Sequence, residues 1–145
     1  MINCGKNLAE KCRRKQDFAD TKAEQGKTPT RSAVAIELIG DVGAGKTTLT
    51  RGLAEGLGVT EPVTSPSFTI SKAYALPGGG HLVHYDFYRL GDPGLMADDL
   101  QESLADPRNV VVVEWGESVA DLLPEDHLRI TIAYTDNGTR ELNYG

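Results

Sequence analysis

The sequence predicts an α/β domain with a central, mostly parallel or mixed sheet flanked by helices, and three observations carry that expectation. Gly40–Thr47, reading Gly-Asp-Val-Gly-Ala-Gly-Lys-Thr, fits the phosphate-binding pattern G-x-x-x-x-G-K-[ST] at every fixed position. The motif lies between a short β-branched run, Val34–Ile39, and a segment in which Leu49, Leu53 and Leu57 recur at helical spacing. Finally, Val110–Val113 are consecutive valines, which read as a central strand buried on both faces.

The elements follow in order. Residues 5–16 are polar but place Leu8, Ala9 and Cys12 on one side of a short helix with a narrow apolar stripe. Residues 17–31 carry a single large apolar side chain, Phe18, with Gly26 and Pro29 as breakers, and read as a linker. After the glycine-rich loop, Gly58 is the expected stop of the following helix, and Thr60–Ser67 is a loop of hydroxyls and prolines. Phe68–Tyr74 and His81–Asp86 alternate as strands around the Gly78-Gly79-Gly80 turn, forming a hairpin. Pro93–Leu104 has an apolar and an acidic side and predicts a helix. Leu128–Tyr134 and Arg140–Tyr144 flank an Asp-Asn-Gly-Thr turn and read as a last antiparallel pair.

A chain of 145 residues suits one core, here divided into a helix and basic linker at 1–31 and a nucleotide-binding domain at 32–145. Residues 1–31 hold eight Lys/Arg against four Asp/Glu, and residues 32–145 hold seven against seventeen, so a +4 arm precedes a −10 body. The acidic body argues against a broad nucleic-acid face. The arm reads as a solvated helix and linker, with contact to RNA or an acidic partner as the alternative. No long apolar run or secretory leader is present, which predicts a cytoplasmic protein without membrane contact. Cys4 and Cys12 would be about 12 Å apart on a helix, too far for a disulfide.

The loop's chemistry follows from its residues. Gly40, Gly43 and Gly45 let successive N–H groups converge on a polyphosphate, Lys46 supplies charge, and Thr47 offers a hydroxyl to Mg²⁺ at the first turn of a helix. A second acid belongs at the carboxyl end of a neighbouring strand. Glu114, ending the valine strand, and Asp86, ending the hairpin strand, have that placement. His84 reads as a structural histidine, Trp115 as either a nucleotide contact or a packing residue. The hydroxyls of Thr64, Ser65, Ser67 and Thr69 read as a γ-phosphate switch or as ordinary turn chemistry.

These residues together resemble one family. Gly40–Thr48, Ser65–Thr69 (Ser-Pro-Ser-Phe-Thr), Tyr74, His84–Leu90 (His-Tyr-Asp-Phe-Tyr-Arg-Leu), Glu114-Trp115 and Leu123-Pro124 occur in the order and spacing of the TsaE (YjeE) family, small ATPases of bacterial tRNA threonylcarbamoyladenosine synthesis. The resemblance implies ATP and Mg²⁺ as cofactors, held by Asp41, Val42, Gly43, Ala44, Gly45, Lys46, Thr47 and Thr48, with Trp115 and Arg140 near the nucleotide. It implies Thr47 and Glu114 at the metal and Asp86 in the same metal-water shell, with Lys46, Asp86 and Glu114 serving hydrolysis. It also implies a partner, the TsaB–TsaD complex, through which tRNA is reached, and an ATPase that is slow alone. The chain departs from the family pattern at Met1, where a threonine is usual, at Ser67, where threonine is common, and in extra length near Lys15–Arg31. A small-molecule kinase and a nucleotide-gated module with little hydrolysis are the alternatives left open by the loop itself.

Overall fold

A computed structural model of the chain describes residues 5–15, 33–40, 45–64, 71–88, 94–134 and 140–144, with backbone alone at 134 and 140–144. In chain order these form helix α1 (5–15), strand β1 (Val34–Ile39), helix α2 (Lys46–Leu57), the hairpin β2 (Ser71–Ala75) and β3 (His81–Asp86), helix α3 (Leu95–Ala105), β4 (Val110–Glu114), a 3-10 helix (Gly116–Leu122), β5 (Leu128–Tyr134) and β6 (Arg140–Tyr144). The expected strands appear where the residue pattern places them, the first hairpin strand being described from Ser71. The expected linker at 17–31, the Ser65–Ser67 end of the expected loop, the Phe68–Ile70 start of that strand and the expected Asp136–Thr139 turn lie outside the described residues.

The six strands form one sheet in the order β2-β3-β4-β1-β5-β6. The inner four, β3, β4, β1 and β5, run parallel, and the hairpin partners β2 and β6 run antiparallel at the two edges. Every residue of β4 is buried, as its valines require. Val110 and Val112 face one layer with Val34, Ile36 and Leu38, covered by α1 and α2. Val111 and Val113 face the opposite layer with Val83 and Tyr85, covered by α3 and the 3-10 helix. Each buried valine contributes about 1.5–3 kcal/mol, so leaving either face open would forfeit several kcal/mol.

Gly58 ends α2 as expected, at φ 89°, with its own N–H on Glu55 O and the Val59 N–H reaching Ala54 O, the paired bonds of a left-handed helix stop. Tyr85 ties β3 to α3, its hydroxyl donating to Asp99 Oδ2 at 2.9 Å and meeting Ser103 Oγ at 2.6 Å.

One expectation needs correction. The amino-terminal helix is not a solvated arm, because Leu8, Ala9 and Cys12 are buried in the same core as Leu49 and Leu53 of α2. Two glycines permit the approach: a Cβ on Gly5 would lie 2.4 Å from Leu53 N and 2.5 Å from Leu49 O, and one on Gly56 would lie 2.6 Å from Ala9 Cβ. Arg13 donates to Gly56 O, and Lys15 bridges to Asp126 Oδ2 at 3.0 Å ahead of β5. The narrow apolar stripe was visible in the sequence, but its partner was not.

Gly5→Ala should therefore destabilise the protein by about 1–3 kcal/mol, because the added methyl meets backbone that cannot step aside. Gly78→Ala, with nothing within 4 Å, should change stability by less than about 0.5 kcal/mol. Urea unfolding of both variants checks the contrast. Burial also pushes the Cys12 thiol up from 9.0 to about 12, against the pull of Lys15, Lys11 and Arg13. Between those values the folded chain keeps a proton that the unfolded chain releases, so stability should fall as pH rises above 9.0. The unfolding midpoint should fall less steeply in Cys12→Val; an unchanged slope would refute the assignment to Cys12.

Candidate functional site

The carboxyl ends of the parallel strands gather the chemistry. Gly40 follows β1, and the chain re-enters the described residues at Gly45, whose φ of 100° needs a glycine. Lys46 then begins α2 with no side-chain cap and no acid in the first turn. An uncapped helix end presents N–H groups and partial positive charge, the setting an anion needs. Asp41–Ala44 lie outside the described residues.

Lys46, the expected source of charge at the loop, is itself a buried side chain. It is 7% exposed, donating from Nζ to Gly40 O at 2.8 Å and standing 4.2 Å from the centre of the Trp115 ring. A charged hydrogen bond contributes about 1.5–3 kcal/mol and a cation over an aromatic face about 0.5–2. These contacts hold the ammonium between the end of β1 and the Trp115 ring. Trp115 in turn packs against Tyr88, with ring centres 4.8 Å apart and the planes tilted by 39°, and sits at φ 56° and ψ 48°, the one non-glycine with positive φ among the described residues. Such strain persists where the surroundings impose it, here between Glu114 in β4 and the 3-10 helix.

The strand register sets the acids. Leu38 of β1, Glu114 of β4 and Asp86 of β3 form one line across the sheet, on the face that α2 covers. Glu114, adjacent to the β1 strand, is buried at 3% exposure and pairs with His84 Nε2 through Oε2 at 3.0 Å. Asp86 was expected beside the loop strand but is one strand further out, since β4 separates β3 from β1. Its Oδ1 accepts the Tyr88 N–H at 2.9 Å, which shapes the turn under the Tyr88 ring. Thr47 and Thr48 are half-buried in the first turn of α2. Arg140 opens β6 opposite Tyr134, and its side chain lies outside the described part.

As a donor set, the Thr47 hydroxyl and the Glu114 and Asp86 carboxylates are hard oxygens of the kind Mg²⁺ selects. No cluster of three His, Cys, Asp or Glu stands ready for a metal among the described residues.

Next to the site, Arg51 of α2 donates from Nε to Val63 O at 3.0 Å, and Lys72 donates to Thr64 Oγ1, so both sides hold the start of the hydroxyl-rich loop. A second histidine–carboxylate pair was missed in the sequence: His127 Nε2 meets Glu37 Oε2 at 3.0 Å on the opposite face of the sheet. The signal was present, because an acid inside Val-Ala-Ile-Glu-Leu-Ile demands a partner.

The profile of the TsaE family, threonylcarbamoyl adenosine biosynthesis protein TsaE, matches residues 2–142. The chain belongs to the TsaE family. It is 52% identical over 105 residues to TsaE of Streptomyces coelicolor, covering 70% of each chain, and 41% identical over 113 residues to TsaE of Bacillus subtilis, covering 75% of this chain and 67% of the other. The crystal structure of Bacillus subtilis YdiB superposes with a TM-score of 0.61 at 38% identity, covering 78% of this chain and 68% of that one. The family places the chain in tRNA threonylcarbamoyladenosine biosynthesis, and the YdiB likeness bears out the α/β fold with its mixed, mostly parallel sheet. No described helix is long and apolar enough to cross a membrane.

Because Trp115 is the only tryptophan, its emission reports on Lys46. A polyphosphate at the α2 end should draw the ammonium off the ring and change that emission, and Lys46→Met should abolish the response. A titration with inorganic triphosphate and with ATP checks this; an unchanged response in the variant would refute the coupling.

Proposed function

We propose that this TsaE-family chain is a Mg²⁺-dependent ATP-binding and ATP-hydrolysing subunit that sustains turnover of the TsaB–TsaD complex, which transfers threonylcarbamoyl to the tRNA adenosine beside the anticodon. The observation that carries the reading is the uncapped start of α2 with the Lys46 ammonium held 2.8 Å from Gly40 O beside it, at the carboxyl end of the parallel strands. In this reading, the Asp41–Thr48 backbone and side chains cradle the phosphates, and Lys46 exchanges Gly40 and Trp115 for phosphate oxygens. That exchange gives up contacts worth a few kcal/mol, which charge-assisted bonds to a polyanion replace.

Thr47 and Glu114 would hold the metal, with Asp86, one strand further out, acting through water. When bound, Mg²⁺ neutralises charge on the terminal phosphates. Trp115 and Arg140 would lie against the nucleotide. Slow hydrolysis alone is expected, and Arg51, the arginine on α2, is engaged with Val63 O. An arginine or an ordered loop supplied by the partner would stabilise the charge that develops there. The −10 charge of residues 32–145 supports tRNA contact through the partner instead of through this body.

The test is reconstitution with TsaB, TsaD, threonylcarbamoyl-adenylate and unmodified tRNA, following modified tRNA per TsaD and phosphate release. Adding the chain should change the ATPase rate and permit repeated modification, while Lys46→Ala should lose most of both and remain folded. If neither quantity responds to the other components, the partnership is refuted; phosphate transfer to a small-molecule acceptor would favour a kinase instead.

A further inference from the structure

His84 is fully buried on β3, on the same face of the sheet as Glu114 and diagonal to it in the register, since Asp86 pairs with Glu114 and His84 with Val112. Its Nε2 lies 3.0 Å from Glu114 Oε2, and its Nδ1 is the buried side-chain polar atom left without a partner among the described residues. Lys72, opposite His84 on β2, directs its ammonium to Thr64. His84 is thus the described side chain within hydrogen-bond distance of this carboxylate.

We propose that His84 is a positioning residue: its Nε2–H, 3.0 Å from Glu114 Oε2, holds that carboxylate in place for the metal. The inference rests on the reading of Glu114 as a metal-facing carboxylate. Its physical basis is the asymmetry of the two ring nitrogens. With the proton on Nε2, the carboxylate receives a donor and the orphan Nδ1 is a bare lone pair. The opposite tautomer would bury an N–H with no acceptor among the described residues, and would turn Nε2 into an acceptor that only a protonated Glu114 could satisfy, ruining it as a metal ligand. A neutral donor also suits the site better than a cation. An arginine there would neutralise Glu114 and compete with the ion, whereas an uncharged imidazole orients the carboxylate and leaves its negative charge available.

Two measurements decide it. In the wild-type full-length chain, long-range proton–nitrogen NMR of the histidine rings, with the His84 signals assigned through His81→Asn and His127→Gln spectra, should show His84 as the Nε2–H tautomer. The Nδ1–H tautomer would overturn the proposal without any variant of His84 being made.

In the second, Mn²⁺ binding to the ADP complex is followed by electron paramagnetic resonance. His84→Leu should weaken it about 10–100-fold, the usual effect of removing a residue that orients a ligand, with ADP affinity in the absence of metal unchanged. His84→Gln, whose amide donates from a similar position, should recover most of the loss. Equal losses in the leucine and glutamine variants, or none in either, would overturn the role. Should His84→Leu fail to fold with an unpaired buried carboxylate, the tautomer and the affinity of His84→Gln still decide the question. Glu114→Gln separates the two levels: unchanged Mn²⁺ affinity there removes the metal reading and this inference with it, while a loss there without any in His84→Leu removes His84 alone.

Discussion

The fold depends on one strand that cannot face water. β4 buries all five of its residues, four of them valines, so the chain must cover the sheet on both sides before that strand is stable. α1 and α2 supply one cover, α3 and the 3-10 helix the other. The same demand explains why the amino-terminal helix is part of the core: the layer over Val110 and Val112 includes Leu8, Ala9 and Cys12 as well as Leu49 and Leu53.

Burial of β4 also sets the chemistry at its end. Glu114 leaves an apolar strand with almost no access to solvent, and an ionised carboxylate in that position is costly without a partner. His84 meets the need from the adjacent strand with a single hydrogen bond. The next residue, Trp115, turns the chain in a left-handed conformation that brings its ring over Lys46 and against Tyr88. Strand end, carboxylate, aromatic pair and lysine are therefore joined by one chain of contacts.

The site's resting arrangement has a consequence for energetics. A lysine extended into water would meet phosphate at little cost, but would contribute nothing to the fold beforehand. Here the ammonium already has a carbonyl and an aromatic face, so under the proposed function phosphate binding would exchange contacts, and the net gain would be smaller than the gross phosphate interaction. The loop ahead of β2 is similarly engaged, held by Arg51 and Lys72 at Val63 and Thr64, next to the Ser-Pro-Ser-Phe-Thr segment that the family resemblance singles out.

The sequence by itself determined what depends on neighbours along the chain. Glycine spacing specified the stop at Gly58 and the hairpin turn, β-branched runs specified β1 and β4, alternation specified β5, and the ordered motifs specified the family. Each of these signals is local, written in backbone freedom or in a period of two or 3.6 residues. Only the tertiary structure decided which strand lies beside which, and therefore that Asp86 is one strand further from the loop than Glu114. The same holds for the docking of α1, the partners chosen by Glu114 and Glu37, and the parking of Lys46 on Gly40 and Trp115. Those pairings join residues 30 to 90 positions apart, or follow from one strained turn, and no local pattern encodes a partner that only folding brings within reach.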